Sequence, residues 1–313
     1  MKKKPSEHNG VVLIDKPAGM TSHDVVDLVR RLFGTRRVGH TGTLDPDATG
    51  VLVLCLGYAT RIAEYLSAGR KTYCTEIRFG IETDTEDTSG KIIRETSALH
   101  LTQSDLETVL PQFRGDIQQV PPMVSALHHE GKRLHELARE GIVVEREARP
   151  ITIHRLELER FSPGDPPIAQ LSVTCSSGTY IRTLAADLGK VMKVGGAMQT
   201  LRRTHVSNGK NDFSLENCLS VETLKILSDN NELENAVMPL SQALQGWVQV
   251  TLNPTEVLDL KMGRQVSPSQ APDFGEVSGE ACEVAVCDTE GVVFAIACYE
   301  DGLIRPTKVL IPL

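Results

Sequence analysis

Aromatic residues and long apolar runs are scarce in this sequence, and the lack of long apolar runs argues against a class of protein. Aromatic residues make up 4% of the 313 residues, with a single Trp. A membrane-spanning helix needs about 20 consecutive apolar residues. No run approaches that length, so we expect no membrane association. The N-terminal lysines are not followed by an apolar segment, so we also expect no secretory signal.

Paired cysteines are also missing. The seven cysteines are scattered at positions 55, 74, 175, 218, 282, 287 and 298, without a CxxC pair or neighbouring histidine ligands. This spacing argues against a disulfide framework and against a zinc site, and it favours reduced thiols. We therefore expect a cytoplasmic protein that holds no metal and no cofactor.

Positive charge is short overall but unevenly distributed. The net charge is −8, yet residues 1–210 carry +3, whereas residues 211–245 carry −5 and residues 246–313 carry −6. Residues 30–44 contain four arginines and no acid. Such a local basic patch is compatible with binding of a polyanion. On charge alone, a solvated helix end explains it equally well.

Hydrophobic periodicity predicts alternating strands and helices up to about residue 245. Residues 10–16 form a short apolar run that Pro17 ends, and a helix is expected to begin at Thr21 or Ser22 and to end at Gly34. In "KTYCTEIRF", alternation places Tyr73, Thr75, Ile77 and Phe79 on one face of a strand; "RPITIHRLELERF" and "IAQLSVTCSSG" read as an antiparallel pair, "TYIRTLAADLGKVM" as a helix and "AMQTLRRTHVS" as a strand.

The pattern changes at Trp247. From there, short apolar strands alternate with Gly, Pro and Asp turns, which predicts a small all-β module. We expect an α+β fold in which a mixed, mainly antiparallel central sheet carries flanking helices, followed by a small C-terminal β-barrel. The predicted domains are residues 1–245 and residues 246–313.

The segment "RRVGHTGTLDPDATGVLVLCLG" crowds cations, glycines and carboxylates directly before an apolar strand. Asp45 lies between Leu44 and Pro46, and the proline biases Asp45 towards an extended backbone. An isolated loop aspartate is most often a turn or cap residue. The "DPDAT" stretch also fits the Asp-x-Asp nucleophile of phosphatases, but that chemistry needs an apolar strand before the first Asp, and here the strand follows it.

A series of motifs resembles the tRNA pseudouridine synthase B family, whose members make pseudouridine 55 in the T-loop. They occur in family order over roughly residues 9–207. The matching stretches are "LIDKPAGMTSHDVV", "RRVGHTGTLDPDATGVLVLCLGYATR", "KTYCTEIRFGIETDTEDTSG", "FRGDIQQVPPMVSALHHEGKRLHELAREG", "SSGTYIRTLAADLG" and "LRRTHVS". Several motifs in the right order are far more specific than any one of them.

The resemblance implies a role for eight residues. Asp45 would be the catalytic aspartate, Tyr73 would stack on the flipped uracil and assist loss of the C5 proton, and Arg182 would pair with Asp45. The remaining residues would bind substrate: Tyr180 and Leu201 line the base pocket, His40 fills the space left in the T-loop, and Lys16 and Pro17 support the pocket floor. Taken singly, each has an ordinary structural explanation, such as a half-buried strand aromatic for Tyr73.

The resemblance also implies an RNA-gripping insert at about residues 120–150 and a C-terminal RNA-binding module of the PUA-like type. Within the insert, His128, His129 and His135 stand where family members often carry other residues. The implied partner is the T-arm stem-loop of tRNA, with no metal, no membrane and no obligate protein partner. Two rivals remain: an RNA-guided pseudouridylase and a tRNA chaperone without catalysis.

Overall fold

The computed structural model describes residues 8–125, 127–129, 131–270 and 281–311. The side chains of His128, His129 and His135 lie outside this description. Among the described residues, no helix is long and apolar enough to cross a membrane.

Strands and helices are interspersed along the chain. The strands are β1 (Gly10–Lys16), β2 (Val38–His40), β3 (Thr49–Leu56), β4 (Lys71–Phe79), β5 (Ile81–Thr83), β6 (Ile92–Glu95), β7 (Gly115–Gln119), β8 (His128–His129), β9 (Lys132–Arg133), β10 (Arg149–Ser162), β11 (Ile168–Cys175), β12 (Gly196–Ser207), β13 (Asp212–Ser214), β14 (Gln249–Thr251), β15 (Cys282–Cys287), β16 (Val293–Glu300) and β17 (Leu303–Val309). The helices are α1 (Ser22–Leu32), α2 (Ala63–Ser67), α3 (Gln103–Val109), α4 (Leu134–Arg139), α5 (Ile181–Val191), α6 (Val221–Asp229), α7 (Leu240–Ala243) and α8 (Pro254–Lys261).

The chain forms two compact units. Unit 1 combines Met1–Pro46, Gly50–Ala68 and Val206–Leu313, and unit 2 consists of Asp47–Thr49 and Gly69–His205. The predicted domains, residues 1–245 and 246–313, were drawn where the sequence pattern changes and not from spatial contacts. They stay a prediction.

In unit 1, β3 pairs antiparallel with both β1 and β2. Helix α1 begins as predicted, because Thr21 is its N-cap and forms a capping box with Asp24. The valines of α1 at positions 25, 26 and 29 pack against β1 and β3 in one apolar cluster. The apolar face of the helix thereby fixes the start of the chain against the strand that follows the Asp45 loop.

The C-terminal part of unit 1 contains a four-stranded sheet in the order β14–β15–β16–β17. Its first pair is parallel and the other two are antiparallel. The prediction of strands alone was wrong at α8, which lies inside this module. Asn253 caps α8 with its side chain and Pro254 occupies the first turn, so a local start signal defines this helix.

One apolar cluster of unit 1 draws on both ends of the chain. It contains Val11, Val53 and Leu66 from the N-terminal part together with Trp247 and Ile296 from the C-terminal part. Tyr65 contacts Trp247 edge to face with ring centroids 5.4 Å apart. The C-terminal sheet therefore shares a core with the first strands of the chain.

In unit 2 the strand order is β12–β4–β11–β10–β7. The pairs β4–β11, β11–β10 and β10–β7 are antiparallel, which confirms the predicted antiparallel pair at residues 149–175. Strand β4 buries every second residue, as its alternation predicts. Strand β7 ends at Gln119, before Pro121 and Pro122, and lies at the end of the strand order, where missing backbone donors are tolerated.

Candidate active site

The backbone on the N-terminal side of Asp45 is held by a buried serine. Ser22, in the first turn of α1, is 2% exposed. Its hydroxyl accepts a hydrogen bond from the N–H of Leu44 at 2.8 Å and donates one to the carbonyl of Leu44 at 3.1 Å. Both backbone groups of the residue before Asp45 are thus fixed to α1. Sequence reasoning missed this residue.

The backbone on the C-terminal side is held by Lys16, whose side chain is fully buried at the end of β1. Its ammonium donates to the carbonyl of Pro46 at 2.9 Å, and also to the carbonyls of Pro17 at 2.9 Å and Met20 at 2.5 Å. The N–H of Gly19 donates to the same Pro46 carbonyl at 3.0 Å. Asp45, itself half-buried, is therefore fixed through both neighbours in the chain.

His40 ends β2, five residues before Asp45. Its Nδ1 accepts a hydrogen bond from the N–H of Gly42 at 3.2 Å, so the neutral ring carries its proton on Nε2. Arg31, Arg36 and Arg37 near this loop are exposed. Exposed guanidinium groups suit phosphate contacts, and the basic patch as a polyanion-binding surface stays a prediction.

Tyr73 is the third residue of β4 and is buried. Its neighbours Thr72 and Thr75 contact β12: the Thr75 hydroxyl donates to the carbonyl of Thr200 at 2.7 Å, and the Thr204 hydroxyl donates to the carbonyl of Thr72 at 3.3 Å. Leu201, half-buried on β12, therefore lies on the strand adjacent to Tyr73. The two predicted pocket residues thus lie on neighbouring strands, and their shared pocket stays a prediction.

Lys71, at the start of β4, is a further buried cation in unit 2. Its ammonium donates to the hydroxyl of Ser177 at 3.0 Å. Burial, reinforced by the nearby Arg203 guanidinium, lowers the pKa of Lys71 to about 8. Arg203 is itself buried. Strand β4 and strand β12 thus each bury a basic side chain close to Tyr73.

Tyr180 and Arg182 lie at the start of α5. Tyr180 is the N-cap residue, and its side chain makes no capping hydrogen bond. Helix α5 comes very close to the first residue of β12. A Cβ atom on Gly189 would lie only 2.0 Å from the backbone nitrogen of Gly196. Only glycine permits that approach, which fixes the helix that carries Arg182 against the sheet.

The Arg182 guanidinium is 5% exposed and contacts backbone and carboxylate groups of unit 2. Nη1 donates to the carbonyl of Thr85 at 3.2 Å, and Nη2 donates to the carbonyl of Val124 at 2.8 Å. Nε lies 3.9 Å from Oδ2 of Asp87. Two carbonyls and one carboxylate thus orient the arginine.

Asp87 is oriented in turn by its own loop. Its Oδ1 accepts hydrogen bonds from the Thr85 hydroxyl at 2.7 Å, from the Ser89 hydroxyl at 2.6 Å and from the Ser89 N–H at 3.0 Å. Next to it, Glu86 has φ of 64°, in the left-handed region that residues other than glycine rarely adopt. The Thr183 hydroxyl donates to Glu86 at 2.6 Å, and burial raises the pKa of Glu86. The sequence analysis gave Glu86 and Asp87 no role.

The predicted site residues divide between the units. Unit 1 contains Lys16, Pro17, His40 and Asp45, and unit 2 contains Tyr73, Tyr180, Arg182 and Leu201. The roles assigned to them, and the pairing of Arg182 with Asp45, therefore stay predictions.

Comparison with known families matches most of the chain. Residues 30–181 match the N-terminal domain model of the TruB family of pseudouridylate synthases, and residues 182–245 match the C-terminal domain model of tRNA pseudouridylate synthase B. The chain belongs to the TruB family of pseudouridylate synthases.

Curated relatives agree with TruB membership. The tRNA pseudouridine synthase B of Haemophilus influenzae is 38% identical over 99% of this chain and 97% of its own length, and that of Bacillus pumilus is 39% identical over 96% and 97%. The enzyme of Symbiobacterium thermophilum is 54% identical over 64% of this chain and 67% of its own.

Solved structures share the TruB chain's fold. A Cbf5-Nop10-Gar1 complex contains a chain with a TM-score of 0.71 and 23% identity, matched over 99% of this chain and 88% of that one. An H/ACA RNP bound to a substrate RNA containing 2'-deoxyuridine gives a TM-score of 0.70 at 21% identity, over 97% and 85%. At this level of identity the likeness shows the fold alone. It confirms the predicted fold class.

Proposed function

We propose that this chain converts uridine 55 in the T-loop of tRNA to pseudouridine. Family membership makes it an isomerase that forms pseudouridine in tRNA. Position 55 and the residue roles below are the proposal. The observation that carries it is the fixation of the Asp45 loop from both sides, by Ser22 on Leu44 and by Lys16 on Pro46. A carboxylate that must act on a sugar or base atom benefits from such fixation, since misplacement by about 1 Å can cost a hundredfold in rate.

The reaction breaks the C1'–N1 bond, turns the uracil over and joins C5 to C1'. The proton on C5 leaves and N1 gains one, so the sum formula does not change and no electrons are exchanged with a second reactant. Asp45 acts as the nucleophile or as the base. As a nucleophile it attacks C1' or C6, and as a base it removes the 2' proton.

The uracil has to leave its stack, which costs a few kcal/mol. Tyr73 replaces part of that stacking and assists loss of the C5 proton, and Tyr180 and Leu201 line the pocket beside it. Tyr73 and Leu201 lie on adjacent strands, which supports a shared pocket. His40 fills the space that the base leaves in the T-loop, and Lys16 with Pro17 forms the floor beneath Asp45.

Arg182 pairs with Asp45 in this proposal. A guanidinium beside a carboxylate in a desolvated pocket keeps the carboxylate ionised. The contacts of Arg182 with Thr85, Val124 and Asp87 support this role, because they hold the guanidinium in one orientation.

The proposed ligand is the T-arm stem-loop. The exposed arginines at positions 31, 36 and 37 supply phosphate contacts, so binding weakens as salt rises. The enzyme acts in the cytoplasm on tRNA alone, without a guide RNA, a cofactor or an obligate protein partner. The phosphatase hypothesis has no support, because the family matched is a pseudouridylate synthase.

The deciding experiment compares the wild type with Asp45→Asn on an unmodified tRNA transcript free of protein and guide RNA. Tritium placed on C5 of uridine is released to water only when pseudouridine forms. We expect release of one equivalent from position 55 with the wild type. We expect none with Asp45→Asn, which keeps its affinity for the transcript. Release only with a guide RNA present would favour the RNA-guided pseudouridylase, and binding without release by the wild type would favour a chaperone.

A further inference from the structure

The insert at about residues 120–150 leaves and rejoins the sheet of unit 2 at one place. Gln119, the last residue of β7, lies opposite Arg149, the first residue of β10. Just beyond this pair, Nη1 of Arg146 donates to the carbonyl of Pro121 at 3.1 Å. The two limbs of the insert are therefore tied together at its base, which we call the neck (residues 119–124 and 146–149).

Both polar atoms of the Gln119 amide bind the backbone of Tyr180. Nε2 donates to the carbonyl of Tyr180 at 3.0 Å, and Oε1 accepts from the N–H of Tyr180 at 2.7 Å. Gln119 is 3% exposed, so water cannot replace these bonds without a rearrangement. Because the side chain of Tyr180 does not cap α5, the Gln119 amide fixes the residue from which α5 begins.

The neck makes a second contact with the same helix. Nη2 of Arg182 donates to the carbonyl of Val124 at 2.8 Å. One short segment, residues 119–124, thus contacts the N-cap of α5 through Gln119 and the Arg182 guanidinium through Val124. A displacement of this segment changes the orientation of the arginine.

We propose that Gln119 is a positioning residue for Arg182, and that through it the neck couples the RNA-gripping insert to the catalytic arginine. This inference rests on the proposed role of Arg182. Gln119 touches no reacting atom. It sets the geometry of the first turn of α5, and RNA held by the insert acts on that geometry through residues 119–124.

The test uses Gln119→Met, which keeps the volume of the side chain but removes both hydrogen bonds, and Gln119→Ala, which also removes the volume. The matched control is Gln118→Ala, a glutamine on the same strand whose side chain is exposed. Single-turnover rate constants at saturating enzyme, dissociation constants for the tRNA transcript and melting temperatures are measured for each.

We expect both Gln119 variants to lower the rate constant at least tenfold while the dissociation constant changes less than threefold, and Gln118→Ala to match the wild type. If Gln119 only fills space, Gln119→Met will keep the wild-type rate constant, and that result overturns the inference. If the Met variant is unfolded at the assay temperature, Gln119→Asn replaces it, because asparagine keeps the amide and withdraws it by one methylene group. Its rate constant should also be at least tenfold lower, and a wild-type rate constant overturns the inference.

Arg182→Met and the double variant Gln119→Met/Arg182→Met separate the two levels of the proposal. If Gln119 acts through Arg182, the double variant is no slower than Arg182→Met alone. A further slowing in the double variant overturns the inference. A wild-type rate constant for Arg182→Met overturns the role of the arginine in the proposed function instead, whatever the Gln119 variants do.

Discussion

Ser22→Ala tests whether fixation of the Asp45 loop matters for the reaction. The substitution removes the hydroxyl that binds both backbone groups of Leu44, and Leu44 is itself buried. A buried polar group that loses its partner costs about 1–3 kcal/mol. If the loop keeps its position, the unpaired groups lower the free energy of unfolding of the protein. If the loop moves towards water, it displaces Asp45.

We expect both responses, because neither removes the whole cost. The free energy of unfolding should fall by about 1–3 kcal/mol. The rate constant should fall about 10- to 100-fold, because misplacement of a reacting group by about 1 Å can cost a hundredfold in rate. Urea unfolding measures the first quantity, and single-turnover release of tritium from C5 of uridine measures the second.

The matched control is Ser220→Ala in the same unit. The Ser220 hydroxyl accepts a hydrogen bond from the N–H of Thr223 at 3.0 Å as the cap of α6. Loss of that cap should cost about 1 kcal/mol of stability and leave the rate constant unchanged. If Ser22→Ala also loses stability without any change in rate, the loop geometry does not limit the reaction and our reasoning is refuted.

Three further changes test other parts of the molecule. Arg182→Met should lower the single-turnover rate at least about 100-fold and Arg182→Lys somewhat less, because a lysine cannot reproduce bidentate pairing with a carboxylate; a loss confined to RNA affinity, and smaller at low salt, would instead make Arg182 a phosphate contact. Burial lowers the pKa of Lys71 to about 8 in the folded state, so the folded wild type buries a charge below pH 8. Lys71→Met should therefore raise the free energy of unfolding below pH 8 by up to about 3 kcal/mol, and this gain should shrink as the pH rises from 8 towards 10.5, the ordinary pKa of lysine. A difference in unfolding free energy that is flat with pH contradicts the lowered pKa. Deletion of residues 246–313 should lower the melting temperature of the remaining chain, because it removes Trp247 and Ile296 from a shared core; an unchanged melting temperature would show that this core is not needed.

Elements with strong periodicity or a local signal could be predicted from the sequence. The alternation of β4 correctly placed Tyr73 and Phe79 on its buried face, and Thr21 was correctly considered as the start of α1. These signals lie within a few residues of each other, so they survive in a single sequence. Helix α8 was missed although Asn253 and Pro254 provide a similar signal, because the strands around it dominated the pattern.

The residues that support the site could not be predicted in this way. Ser22 binds a residue 22 positions away, Gln119 one 61 positions away, and the Arg182 guanidinium reaches Thr85 across 97 positions. A lone serine, glutamine or threonine has no periodicity, and its partner depends on how the strands are ordered. Asp45 was singled out by its place before Pro46 in a crowded loop, whereas a role for Arg182 was predicted only because whole motifs resembled a family.

The core shared between the first strands and the C-terminal sheet limits how this protein can change over time. A domain that contacts its neighbour only through polar surface can be lost, gained or exchanged without changes in the rest of the chain. Here the inner face of the C-terminal sheet is part of the interior that also buries Val11, Val53 and Leu66. Substitutions in one part must therefore be matched in the other, and we expect the two ends of the chain to have been inherited together.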